Sequence, residues 1–195
     1  HILARAPGHL GEYLGLTAYR MNAADAIYVG FADNFIPESC WPSVIKKLQE
    51  TGDVSILEQY YDTPSDSALP ASKHKISEIF NTSNLGEIVT RLTEKANNFS
   101  DKTLNAMLRN SPLSMACFLF ILRYHRKKKT DLSEALIWEY RFTARAMQYG
   151  DFIEGIRATI IDKDGLPNWK HGMTTVPKAD IKEMFVHLGD LELSF

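Results

Sequence analysis

Arg157 and Lys163 flank a short apolar run close to the end of the chain. Cations so placed read either as a solvated face with a C-terminal charge, or as a pair aimed at an anionic ligand. A denser basic run, "RYHRKKK" from Arg123 to Lys129, closes another apolar stretch. It too has two readings: cations on the negative end of a helix dipole, or an anion site for the phosphates of a nucleotide-like cofactor. Glu12 stands alone on a face of leucines and reads as a partly buried acid. General acid–base work would need a second polar group within hydrogen-bond reach, and the sequence shows none. Glu139, Arg141 and Arg145 read as ion-pair partners of neighbouring helices. The six histidines are scattered, none with a second His at ligand spacing. There is no nucleophile elbow, P-loop, helical zinc motif or dinucleotide fingerprint. No catalytic residue and no metal ligand is assigned.

The elements that carry these residues are almost all helical. Leu10, Tyr13, Leu14 and Thr17 recur at helical spacing after Pro7-Gly8. Asn22 caps a short helix that stops at Gly30. "FADNFI" is the one strand candidate, too short to make a sheet and without an evident partner. "WPSVIKKLQE" and "DVSILEQYY" are short amphipathic helices, and "DTPSDSALPAS" is a polar loop. Ser83 and Ser100 are expected to cap the two helices that follow. Ser111-Pro112 is a strong helix start, opening a buried helix from Leu113 to Leu122. Thr130-Asp131 starts another, with Leu132, Ala135, Leu136, Tyr140 and Phe142 toward the core. Asp151 and Glu154, three apart, have the spacing of a capping box. Gly155 in that first turn points to a backbone or ligand coming close.

Composition narrows the function classes. The chain has 195 residues and a net charge of −2, so no overall basic field suggests nucleic acid or an anionic membrane. Its densest apolar run, Met115 to Leu122, is far shorter than the ~20 residues of a membrane span. Cys40 and Cys117 stand apart and read as reduced, packed thiols, which suits the cytosol or an organelle matrix.

Three stretches resemble the crotonase (enoyl-CoA hydratase/isomerase) superfamily, in particular its 3-hydroxyisobutyryl-CoA hydrolase branch. They are "LARAPGHLGEYLGLTAYRMNAADAIYVGFADNFIP", "SPLSM" and "EYRFTARAMQYGDFIEGIRATIIDKDGLPNWK". The first alone indicates the wider superfamily; the block "DFIEGIRA…IDKD…PNW" indicates the branch. The resemblance implies a mainly α chain, the helical C-terminal portion of a crotonase-like fold with at most one or two short strands. Residues 1–36 would be the tail of the core, and residues 37–195 a helical cover that supports self-association.

In that family two backbone amides form an oxyanion hole and acidic side chains handle water, all upstream of the point matched by His1. The resemblance therefore implies a C-terminal part without the catalytic half, inactive alone. It would need no cofactor beyond the coenzyme A of its acyl-CoA substrate. Its partner would be the missing N-terminal half or further copies of itself, with neither nucleic acid nor membrane involved. In related hydratases the corresponding helix supplies an aromatic residue and a Lys beside the CoA adenine and phosphates. Here Thr159 stands at the aromatic position and Lys163 is displaced by one residue. Arg157 and Lys163 are the candidate CoA contacts. The compartment implied is the cytoplasm, or the mitochondrial matrix in a eukaryote. The alternatives are a hydratase or isomerase of the same superfamily, and a stand-alone helical interaction module.

Overall fold

The computed structural model describes residues 1–82 and 84–195. The helices are α1 (Ile2–Arg5), α2 (Leu10–Thr17), α3 (Ala23–Tyr28), α4 (Trp41–Thr51), α5 (Leu69–Phe80), α6 (Leu85–Glu94), α7 (Asn98–Met107), α8 (Pro112–Lys128), α9 (Leu132–Arg145), α10 (Phe152–Ile156) and α11 (Lys178–Glu183). A π-helical turn, Arg157–Ile161, continues α10, and Val54–Tyr60 is a 3₁₀ helix. Extended pairing among the described residues is limited to one antiparallel bridge, Phe35 with Asp62. "FADNFI" thus finds a partner in the chain, but no sheet. The fold is mainly α, as the sequence predicts.

The chain forms two compact units, Arg20–Lys73 and His1–Tyr19 with His74–Phe195. In the smaller unit Asn22 and Asp25 close a capping box on α3: the Asp25 amide donates to Asn22 and the Asn22 amide to Asp25. Buried Asp25 also accepts from the Ser67 hydroxyl at 2.6 Å. This satisfies a carboxylate that would otherwise be costly to bury.

In the larger unit α8 packs against α1, α2, α6 and α11. Its residues Leu113, Met115, Cys117, Leu119 and Leu122 are buried, as the apolar run predicts. Leu113 and Cys117 form one core with Met184 and Phe185, joined by Trp138 and Phe142. Burial pushes the Cys117 thiol up to about 12, so it packs as an inert apolar group. Two glycines of α2 permit close approach. A Cβ on Gly11 would lie 2.1 Å from the Leu3 carbonyl oxygen, and one on Gly15 2.1 Å from the Phe118 ring.

Several local expectations give way. The cap expected at Ser83 lies outside the described residues; the Asn84 side chain caps α6, accepting from the Gly86 and Glu87 amides. Ser100 is inside α7, which Asn97 caps by accepting from Phe99 and Ser100. Asparagine reaches these first-turn amides with its backbone still extended, so α6 starts one residue later and α7 three residues earlier than the serines suggest. The "DTPSDSALPAS" loop ends at Ala68, because Pro70 is tolerated in the first turn of α5. On α9 only Ala135 is fully buried; Leu132, Leu136 and Tyr140 are exposed and Phe142 is partly buried. Ser111 caps α8 as read from the sequence, and at the Thr130-Asp131 start it is Asp131 that caps α9.

Candidate functional site

The π turn governs the geometry at the end of the chain. Its i→i+5 bond, from the Asp162 amide to the Arg157 carbonyl, brings residue i+5 back over residue i. Arg157 there meets three carboxylates. Its guanidinium forks onto Glu154 at 3.0 and 2.8 Å, and Nη1 donates to Asp162 at 2.6 Å and Asp164 at 2.7 Å. Nη2 also donates to the Leu166 carbonyl at 3.0 Å. Glu154 accepts the Asn168 amide at 2.6 Å, and Asp164 accepts the Leu166 amide at 2.8 Å. One arginine thereby fastens residues 162–168 back onto α10.

The electrostatics follow from the fork. The Arg157 hydrogen bonds, aided by the Asn168 amide, bring Glu154 down to about 2. Asp164 is lowered by the same guanidinium and by the Leu166 amide, while Arg157 itself is raised, chiefly by Glu154. Three acids outnumber the two cations here, and Arg157 is committed to its own chain. Lys163 stands on the loop it fastens, in the left-handed region at φ 55°, with no side-chain hydrogen bond or ion pair among the described residues.

The capping box expected of Asp151 and Glu154 does not form. Asp151 accepts from the Ser111 hydroxyl and, at 3.1 Å, from the Lys170 amide. Buried at 7% exposure, it ties the starts of α8 and α10 to the loop beyond the π turn. Asp151 finds donors distant in sequence, and Glu154 finds Arg157 three residues on and the Asn168 amide fourteen on, instead of first-turn amides. What approaches Gly155 is the Trp169 ring, 3.6 Å from where a Cβ would be, an ordinary contact. A slot of about 280 Å³ beside it is lined by Phe142, Asp151, Ile160 and Trp169.

The basic run divides. Arg126 Nη1 and Nη2 donate to Glu12 at 2.6 and 3.2 Å, giving that acid the partner that the sequence could not show. His9 adds a third contact at 3.2 Å. Glu12 is 1% exposed, and a pair so engaged is structural. Arg141 does make an ion pair, with Glu192 at 2.8 Å, but that partner lies in the C-terminal tail just beyond the last 3₁₀ turn and not on a neighbouring helix. Buried His125 holds Thr130 at 2.8 Å, and its pKa is lowered by burial first. Among the described residues no three His, Cys, Asp or Glu side chains gather as metal ligands, and no helix is long and apolar enough to cross a membrane.

The enoyl-CoA hydratase/isomerase family pattern matches residues 1–185. The chain belongs to this family. Human mitochondrial 3-hydroxyisobutyryl-CoA hydrolase is 30% identical over 207 aligned residues, covering 100% of this chain and 53% of the relative. An Arabidopsis thaliana relative, named small ribosomal subunit protein mS47, is 32% identical over 87% of this chain and 44% of its own length. Among solved structures, an enoyl-CoA hydratase from Rhodobacter sphaeroides superposes with a TM-score of 0.86 at 42% identity. A carnitinyl-CoA dehydratase from Mycobacterium thermoresistibile gives 0.89 at 27%. Each structure match covers 100% of this chain and 56% of the other. This family member spans about half the length of the curated relatives that it matches.

Proposed function

We propose that these residues form the C-terminal part of an acyl-CoA thioester hydrolase resembling 3-hydroxyisobutyryl-CoA hydrolase, with the catalytic carboxylates and oxyanion amides lying outside them. The observation that carries the reading is the Arg157 knot. Glu154, Arg157, Asp162 and Asp164 are four of the polar residues in the block by which the chain resembles the hydrolase branch, and they close one structure. In this reading the knot holds the loop bearing Lys163, the member of the cation pair left to meet a CoA phosphate, and Arg157 positions it. The exposed Ile160, Ile161 and Leu166 beside the knot belong against the remainder of a longer polypeptide. The compartment we assign is the cytosol or the mitochondrial matrix, the latter in keeping with the hydrolase relative's name.

The test is thiol release from 3-hydroxyisobutyryl-CoA by the 195 residues alone and by the longest polypeptide that contains them. Turnover by the longer form only is expected; turnover by the 195 residues would overturn the reading. The 42% identity to a protein described as an enoyl-CoA hydratase favours a second reading, hydration of an enoyl-CoA. Loss of the enoyl-thioester absorbance without thiol release would select it. The relative named as a ribosomal protein keeps a third reading open, a helical assembly module without turnover of either substrate.

A further inference from the structure

Six Lys and Arg side chains of the larger unit make ion pairs with carboxylates: Arg91, Lys95, Arg126, Arg141, Arg157 and Lys170. Four others share one cleft and make none among the described residues. Arg123 and Lys127 stand one turn apart on α8, and Lys178 and Lys182 one turn apart on α11, the helix packed against it. Like charges at this spacing each disfavour their helix by a few tenths of a kcal/mol, about 0.2–0.5. Two such pairs on one cleft, with no carboxylate in its lining, form a cationic rim, and Glu12 and Glu87 act on Arg123 only from outside that lining. Nearby acids are committed elsewhere: Glu12 to Arg126, Glu87 to Arg91 and Thr82, and Asp180 to Lys170 and His171. The Arg123 Nε is buried and has no hydrogen-bond partner among the described residues.

The floor is apolar. Leu85, Leu119, Phe120 and Ile181 line it, and Phe120 keeps 39% exposure although Phe185 stacks on one side of its ring. The volume is about 580 Å³, the size of a small-molecule site and not of a protein groove. We propose that this cleft binds an amphiphilic organic phosphate, its apolar body on the Leu119–Phe120–Ile181 floor and its phosphate between the two cation pairs. The site lies on α6, α8 and α11, apart from the Lys163 loop, and does not depend on the thioester reading.

Calorimetric titration of the full polypeptide that carries these residues tests it, with octyl phosphate and AMP as probes and inorganic phosphate and octanol as controls. At least one organic phosphate is expected to saturate a single site about tenfold more tightly than either control, as joint use of charge and apolar surface requires. Preference for octyl phosphate points to an acyl-chain source, preference for AMP to a nucleotide. Lys178→Gln with Lys182→Gln, both at exposed positions, should weaken binding about tenfold without lowering the unfolding midpoint. Lys163→Gln should leave it unchanged. Absence of saturation by both probes, binding that survives the double substitution, or binding lost with Lys163→Gln would each overturn the proposal.

Discussion

Arg126 on α8 places two guanidinium nitrogens on the Glu12 carboxylate of α2, at 2.6 and 3.2 Å, across 114 residues of sequence. The pair bolts the first helices to the central one. Arg126→Met would leave a carboxylate that is 1% exposed with His9 as its remaining hydrogen-bond partner among the described residues, and a loss of about 3 kcal/mol is expected in urea unfolding. Glu12→Leu combined with Arg126→Met should recover most of that, because no charge is then stranded. A single-substitution loss within experimental error would refute the buried pair.

Arg157→Gln should loosen the loop after the π turn without unfolding the protein. The amides of Gly165, Leu166, Asn168 and Lys170 all donate within this region. Their hydrogen exchange is expected to accelerate while global stability changes by no more than about 1 kcal/mol, since the guanidinium is a third exposed. Unchanged exchange at Asn168 would mean that the knot does not hold the loop.

Two pH transitions are expected in the unfolding midpoint. Glu154 is depressed to about 2 from an ordinary 4.5, so its contribution is complete above 4.5 and is lost as pH falls from there toward 2. His125 is also lowered by burial, from an ordinary 6.5, but as a base it takes up its proton more readily when unfolded. Its neutral form thus favours the fold above pH 6.5, and stability declines as pH drops below that value. His125→Gln should flatten the slope just below pH 6.5 and leave the Glu154 transition in place.

Gly11→Ala should cost about 2 kcal/mol, because the new Cβ would lie 2.1 Å from a backbone oxygen of α1 that cannot rotate away. Gly155→Ala meets only the Trp169 ring at 3.6 Å and should be neutral or slightly stabilising by helix propensity. Thermal melts of the two variants side by side distinguish close packing from an incidental glycine.

Ile160, Ile161 and Leu166 are 63, 69 and 75% exposed around the knot. Residues 1–195 alone are expected to self-associate through this face, and Ile160→Asp with Ile161→Asp to reduce the assembled fraction in light scattering. A monomer before and after substitution would show that the face needs no cover.

The sequence by itself determined the helices and those caps whose partner is a first-turn amide. Asn22, Ser111 and Asp131 were legible because donor and acceptor are neighbours along the chain. The family, too, was legible, from the block that ends in "PNW". Tertiary structure alone decided the destination of side chains with several donors within reach. Asp151 and Glu154 have capping-box spacing, yet Ser111, Lys170, Arg157 and Asn168 claim them. The buried Met184 and Phe185 follow a Gly- and Pro-rich tail with little periodicity, and only the fold brings them against α8. Charge shows the same division. The sequence counts cations and acids, but whether a cation meets a carboxylate, as Arg126 does, or faces an open cleft, as Lys182 does, depends on which helices pack together. Local spacing sets what an amide or carboxylate can reach within a turn; only chain crossing sets what reaches it from a hundred residues away.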